Sequence, residues 1–252
     1  MKDALEGKRI LITRDEKGAK LFSKQLKQLG AVPLEVPLIK IQCKCEENNW
    51  QGIKELHSYE WIIFTSANGV RCFFQLLNKK GRTLTNQRIA VVGHKTEDAL
   101  KEFGLTADLV PPLYNAETLA SEFMNKYYQT GTILLVRGNL SRDVLPKRFF
   151  EARVPFDMLE VYETVANHNN KENLNEILSS QLDFITFTSP SAVEAFCNMT
   201  SLTGKWTTVC IGSTTEEMAR NLGMDHIISP ESDYTMEGMI QRMTEYSYGG
   251  DV

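Results

Sequence analysis

Two stretches of the chain end apolar, strand-like runs on small polar side chains. Thr65-Ser66-Ala67-Asn68 follows Trp61-Ile62-Ile63-Phe64, and Thr188-Ser189-Pro190-Ser191 follows Phe184-Ile185-Thr186-Phe187. A hydroxyl between a strand and a helix can cap that helix, whose first N–H groups lack partners and attract anions. Thr96 and Thr215 stand before Glu97-Asp98 and Glu216-Glu217, acids that suit the positive end of a helix dipole. Taken singly, Ser66, Ser189, Thr96 and Thr215 read as caps, each contributing about 0.5–2 kcal/mol. Four such starts at matching places read instead as a set of carboxylate sites. Arg14 and Arg137 each end a predicted strand and are either ligands for the same anion or ordinary surface ion pairs. Tyr162 follows Glu160-Val161, where the matching pair Glu35-Val36 is followed by Pro37. A phenol present in only one of two matched positions is a candidate proton donor, or a ring packed at a hinge.

Familiar catalytic patterns are missing: there is no phosphate-binding G-x-x-x-x-G-K-[ST] loop, no strand-anchored G-x-G-x-x-G and no H-E-x-x-H. The histidines His57, His94, His168 and His226 lack metal-ligand spacing, and Cys43-Lys44-Cys45 reads as two thiols, not a metal site. No metal site is expected.

The elements that must hold these residues repeat. Ile10 matches Ile133 and Phe64 matches Phe187, 123 residues apart in both cases. Val91-Val92-Gly93 matches Cys210-Ile211-Gly212, Gly104 matches Gly223, and Pro111 stands beside Pro230, each 119 residues apart. Two diverged copies of a unit of roughly 120 residues follow. Each copy alternates β-branched and aromatic runs with helical periods, which predicts βα units, parallel sheets and two doubly wound α/β lobes. Leu21, Phe22, Leu26 and Leu29 are placed on one face of a helix stopping at Gly30, and Leu145, Phe149 and Phe150 on its counterpart.

The 252 residues carry a net charge of −4 without a basic stripe, so nucleic acid is not an expected partner. No run is long enough to span a bilayer, and Met1 to Arg14 lack the pattern of a secretory signal. The odd count of five cysteines, with Cys72, Cys197 and Cys210 in predicted helices or strands, reads as buried thiols in a reducing, cytoplasmic setting. No extended apolar surface segment is evident, which favours a monomer.

Together, Phe64–Val70, Gly93-His94-Lys95-Thr96, Arg137-Gly138, Val161-Tyr162-Glu163-Thr164, Phe187–Val193 and Gly212-Ser213-Thr214-Thr215 resemble the uroporphyrinogen-III synthase family, from Arg9 to about Met243. The resemblance implies two flavodoxin-like lobes joined by a two-stranded antiparallel linker, the chain crossing twice. Carried over, one lobe holds residues 1–36 with 167–252, the other 40–158, with linker strands at 34–40 and 159–166. It implies that a linear tetrapyrrole, hydroxymethylbilane, is closed to uroporphyrinogen III with loss of water and inversion of the last ring through a spiro intermediate, without a cofactor. Tyr162 is then the implied acid. Arg14, Thr65, Ser66, Asn68, Gly93, Thr96, Arg137, Gly138, Ser189, Ser191, Gly212 and Thr215 are the implied substrate-binding residues, and hydroxymethylbilane synthase a transient partner. Two rivals share the lobes and helix-terminal sites: a non-catalytic receptor closing on an anionic metabolite, and a flavodoxin-like carrier. The loop Thr13–Gly18 lacks the hydroxyl- and glycine-rich character that a flavin phosphate needs.

Overall fold

The computed structural model describes residues 5–44, 56–127 and 130–249. In chain order its elements are β1 (Arg9–Ile12), α1 (Glu16–Lys27), β2 (Val32–Glu35), β3 (Ile39–Cys43), β4 (Trp61–Phe64), α2 (Ala67–Lys79), β5 (Arg88–Val91), α3 (His94–Lys101), α4 (Ala116–Tyr127) and β6 (Ile133–Gly138). There follow α5 (Val144–Glu151), β7 (Phe156–Ala166), α6 (Lys171–Leu178), β8 (Phe184–Phe187), α7 (Pro190–Met199), β9 (Thr207–Cys210), α8 (Ser213–Asn221), β10 (Ile227–Ile228) and α9 (Met236–Gly249).

The chain divides into two compact units, Met1–Lys40 with Val165–Val252, and Ile41–Thr164. The first carries a sheet ordered β10-β9-β8-β1-β2, in which every pairing is parallel. The second carries β3-β7-β6-β4-β5, parallel from β7 to β5. The strand β1, from the first repeat, pairs with β8 from the second, and β6, from the second, pairs with β4 from the first. Each sheet is therefore assembled from both repeats. The chain crosses between units twice, inside β3 and inside β7. Backbone bonds from Lys44 N–H to Val161 O and from Asn167 N–H to Leu38 O, both 2.8 Å, run in opposite chain sense and make this pair antiparallel. The crossing strand begins at Ile39; residues 34–35 close β2 in the parallel sheet, and Pro37, which has no N–H for a ladder, lies between the two strands.

Strands β4, β6, β8 and β9 are buried along their whole length, as parallel strands covered on both faces must be. In the second unit Ile62, Phe64, Leu134 and Val136 pack with Val70 and Phe73 of α2, while Trp61, Ile63, Ile133 and Leu135 pack on the other face with Phe123 and Phe149. The period of two along each strand thus feeds two cores. In the first unit, Leu11, Ile185 and Phe187 face one core and Ile10, Ile12 and Phe184 the other.

Two placements on the amphipathic helices are corrected. Leu21 is 56% and Phe150 80% exposed, because the buried stripe of α1 runs through Ala19, Phe22 and Leu26 and that of α5 through Leu145 and Phe149, each one residue away. Gly104 and Gly223 close α3 and α8 at φ +72° and +80°, the left-handed conformation that glycine adopts without strain. The thiol reading is also corrected: Cys43, at the end of β3, and Cys72, in α2, form a disulfide with their Cα atoms 5.2 Å apart. Packing of α2 beside the edge strand brings them together, which their separation in sequence does not reveal. Cys45 lies outside the described residues. Among those described, no group of His, Cys, Asp and Glu could hold a metal, and no helix is long and apolar enough to cross a membrane.

Candidate active site

Within the second unit, the predicted groups converge at the carboxyl ends of β4, β6 and β7. Ser66 caps α2: its Oγ accepts the Gly69 N–H at 3.0 Å. The same Oγ lies 2.9 Å from the hydroxyl of Tyr162. Either hydroxyl can be the donor in this pair, and when Ser66 donates, the phenolic O–H is available to a third group. Tyr162 is 9% exposed, on β7. A bulge brings it there, for the register steps from Arg137↔Glu160 to Gly138↔Tyr162 and skips Val161. Its ring lies on Gly138, where a Cβ would come 2.3 Å from Cζ. Gly138 is needed because the phenol occupies the side-chain position. The sequence reading missed this contact, although a glycine ending a strand signals close approach.

Arg137 is 8% exposed and belongs to the loop that follows it, not to the surface. Its Nη1 donates to Asp143 Oδ1 at 2.8 Å and its Nη2 to Ser141 O, while Gly138 N–H donates to Ser141 Oγ at 3.0 Å. The guanidinium thereby fixes the turn that carries Gly138. Thr65 Oγ1 is buried without a hydrogen-bond partner, and Asn68 lies half-buried in the first turn of α2.

The first unit holds the related arrangement with different chemistry. Ser189 caps α7, accepting from Ala192 N–H at 3.3 Å, with Pro190 at the start of the helix. Its second neighbour is Ser191 Oγ at 3.0 Å, where Ser66 has a tyrosine. Arg14 follows β1; its Nη1 is 2.7 Å from Met236 Sδ, and its buried Nε makes no hydrogen bond but lies 3.7 Å from Asp15 Oδ2. The adjoining α1 is capped by the carboxylate of Asp15, which accepts Gly18 N–H at 3.0 Å, so this helix start disfavours a second anion.

Thr96 and Thr215 are not caps. The cap positions are Gly93 and Gly212, and the threonines lie buried within α3 and α8, their N–H groups bonded to Gly93 O and Gly212 O. The exposed positions in these first turns are His94 and Lys95, and Ser213 and Thr214. Cys210, at the end of β9, is no nucleophile: burial first, then the charge of Glu216, pushes its thiol up to about 12, with Arg220 opposing. A cavity of about 770 Å3 opens beside Trp206, Thr208, Met224 and His226, at the amino ends of β9 and β10, and contains none of the predicted site residues.

Fold and strand-end geometry define the class: a duplicated flavodoxin-like α/β protein with helix starts at the carboxyl ends of its strands. The family model described as "Uroporphyrinogen-III synthase HemD" matches residues 20–241, and the chain belongs to that family. It is 32% identical to "Porphyrin biosynthesis protein HemD" of Ruminiclostridium josui, over 100% of this chain but 51% of that protein, so it spans about half the length of that relative. It is 29% identical to "Putative uroporphyrinogen-III synthase" of Methanocaldococcus jannaschii, over 92% of this chain and 96% of the relative. Among solved structures, uroporphyrinogen-III synthetase from Helicobacter pylori superposes with a TM-score of 0.66 at 18% identity, covering 93% of this chain and 97% of that one. A mutant uroporphyrinogen III synthase from Thermus thermophilus gives 0.63 at 17%, covering 97% and 100%. At these identities the structural likeness speaks for the fold, and the expected two-lobe α/β architecture is borne out.

Proposed function

We propose that the chain closes hydroxymethylbilane to uroporphyrinogen III as a cofactor-independent hydro-lyase, acting as a cytoplasmic monomer that receives its substrate from hydroxymethylbilane synthase. The two units serve as lobes that hold the carboxylate arms, through the helix starts at Ser66, Asn68, Gly93, Ser189, Ser191 and Gly212, with Thr65 and Arg14 beside them, while the buried Thr96 and Thr215 only shape the helix starts that carry Gly93 and Gly212. Arg137 and Gly138 shape the wall behind the acid. Tyr162 O–H gives its proton to the terminal hydroxyl, the C–O bond breaks, and water leaves an electrophilic azafulvene. The last pyrrole attacks through its substituted carbon to give the spiro intermediate. Fragmentation and reclosure at the free carbon invert the ring, and the hydrogen lost from that carbon restores the phenol, so that water is the only net loss.

The observation that carries the reading of the site is the 2.9 Å contact between Tyr162 and the cap Ser66. It positions the one acid without a counterpart in the other repeat, a feature a receptor does not need. Positioning of a flexible polyanion supplies the rest of the effect. The test is to add the protein to freshly generated hydroxymethylbilane and separate the oxidised isomers. Type III product is expected, and type I alone, the isomer of unassisted closure, overturns the reading. Tyr162→Phe is expected to slow turnover by about 10²–10⁴-fold with the fold intact, the usual worth of a positioned acid. An unchanged rate moves proton transfer to a substrate carboxylate or water.

A further inference from the structure

Each repeat also keeps an exposed tyrosine that no role above uses. Tyr114 precedes Asn115, whose Oδ1 accepts Thr118 N–H at 2.7 Å and caps α4. Tyr234 precedes Thr235, whose Oγ1 accepts Gly238 N–H at 3.1 Å and caps α9. Both rings turn back over the glycine that starts the neighbouring helix. A Cβ on Gly93 would lie 3.0 Å from the Tyr114 Cβ and 3.4 Å from its ring, and one on Gly212 would lie 3.1 Å from the Tyr234 ring. Both stay open to solvent, at 59% and 57%. They stand at the carboxyl-end edge of their sheets, two residues beyond β5 and β9 through those glycines.

The surroundings of the two rings have diverged. Past Pro111 and Pro230 the second copy has one extra residue, so that Leu113 faces Asp233 and Asn115 faces Thr235, 120 residues apart, while His94 faces Ser213 and Lys95 faces Thr214, 119 apart. Tyr114 has the His94 ring 4.9 Å away, whereas the Tyr234 hydroxyl makes a long bond of 3.3 Å to Glu231 O. A residue needed only to cover a glycine backbone could be any apolar side chain. What the two copies retain is an aromatic face with a polar tip, and that pairing suits a ligand that is itself a flat ring with polar arms.

We infer that Tyr114 and Tyr234 are substrate-binding residues, one in each unit: each ring packs on a pyrrole, and each hydroxyl donates to an acetate or propionate carboxylate of it. The inference rests on the tetrapyrrole reading above and adds two residues to it. Glycine at 212 follows from the same arrangement, since a side chain there would press on the Tyr234 ring.

Steady-state kinetics on hydroxymethylbilane with Tyr114→Phe, Tyr234→Phe and the corresponding leucine variants test it, alongside thermal denaturation. Removing one hydroxyl is expected to raise KM about tenfold with kcat and Tm held, as for one hydrogen bond to a carboxylate. Leucine, which also removes the flat ring, is expected to raise KM further. A KM unchanged in all four variants, with or without a fall in Tm, makes the rings mere covers and overturns the inference while type III product from the unaltered protein keeps the reaction assignment. Type I product from the unaltered protein overturns both.

Discussion

At the scale of single residues, the site turns on which atoms are adjacent to Tyr162. Gly138 lies under the ring, Ser66 meets the hydroxyl, and Arg137 holds the turn between them through Asp143 and Ser141. Gly138→Ala would place a methyl 2.3 Å from the phenol carbon, so the ring must swing away from Ser66. The expected cost is about 1–3 kcal/mol of stability, as for overpacking. Turnover should fall as far as in Tyr162→Phe, and unfolding curves with the isomer assay check both. Full activity in the alanine variant would show that the seat of the ring does not matter. The same variant separates the acid from the anion sites, because substrate affinity should hold while turnover is lost.

At the scale of elements, helix starts differ in how they are held. Glu216, in the first turn of α8, accepts from Ser229 Oγ and from Arg220 Nη2, the latter at 2.7 Å. The Ser229 bond first, and then Arg220, hold its carboxyl below the usual carboxylate value. A carboxyl depressed in the folded state contributes stability that is present above its unfolded value, near 4.3, and is lost as pH falls through the folded one. Glu216→Gln is therefore expected to cost about 0.5–1 kcal/mol at neutral pH, discounted for partial exposure, with the gap to the unaltered protein closing below about pH 4. Denaturation midpoints across pH 3–8 check this, and a gap independent of pH would reassign the loss to shape. Elements of this kind were largely legible in the sequence. Ser66 and Ser189 after buried strands, Pro190 at a helix start, and Gly104 and Gly223 past helix ends act locally, within one turn of chain. Thr96 and Thr215 misled because an acid a few residues past a glycine cap looks the same as one following a threonine cap. Leu21 and Phe150 did so because a helical stripe is narrow and neighbouring apolar residues compete for it. The phenol over Gly138 and the Cys43–Cys72 pair were illegible for another reason: both depend on the register and packing of distant elements.

At the scale of the whole chain, the units differ in continuity. Residues 41–164 hold β4, β5, β6, most of β7, the helices α2 to α5 and both cores of their sheet in one uninterrupted segment. Expressed alone, that fragment is expected to unfold in one cooperative thermal transition, read by circular dichroism. Residues 165–252 alone lack β1 and β2, which form one side of their sheet against β8, and lack Phe22 and Leu26 of the core beneath it. They are expected to show no cooperative transition until a peptide of residues 1–40 is added. A stable, folded 165–252 would show that β1 only decorates the sheet.

The exchange of β1 and β6 between repeats has a bearing on synthesis. As the ribosome delivers the chain, β1 emerges before the second unit, yet the neighbour it needs, β8, is made only after the whole of that unit. The second unit can close while translation continues, and β1 must wait with its apolar side chains unmatched until β8 arrives. That interval is when the nascent polypeptide is most exposed to aggregation and most in need of a chaperone's cover.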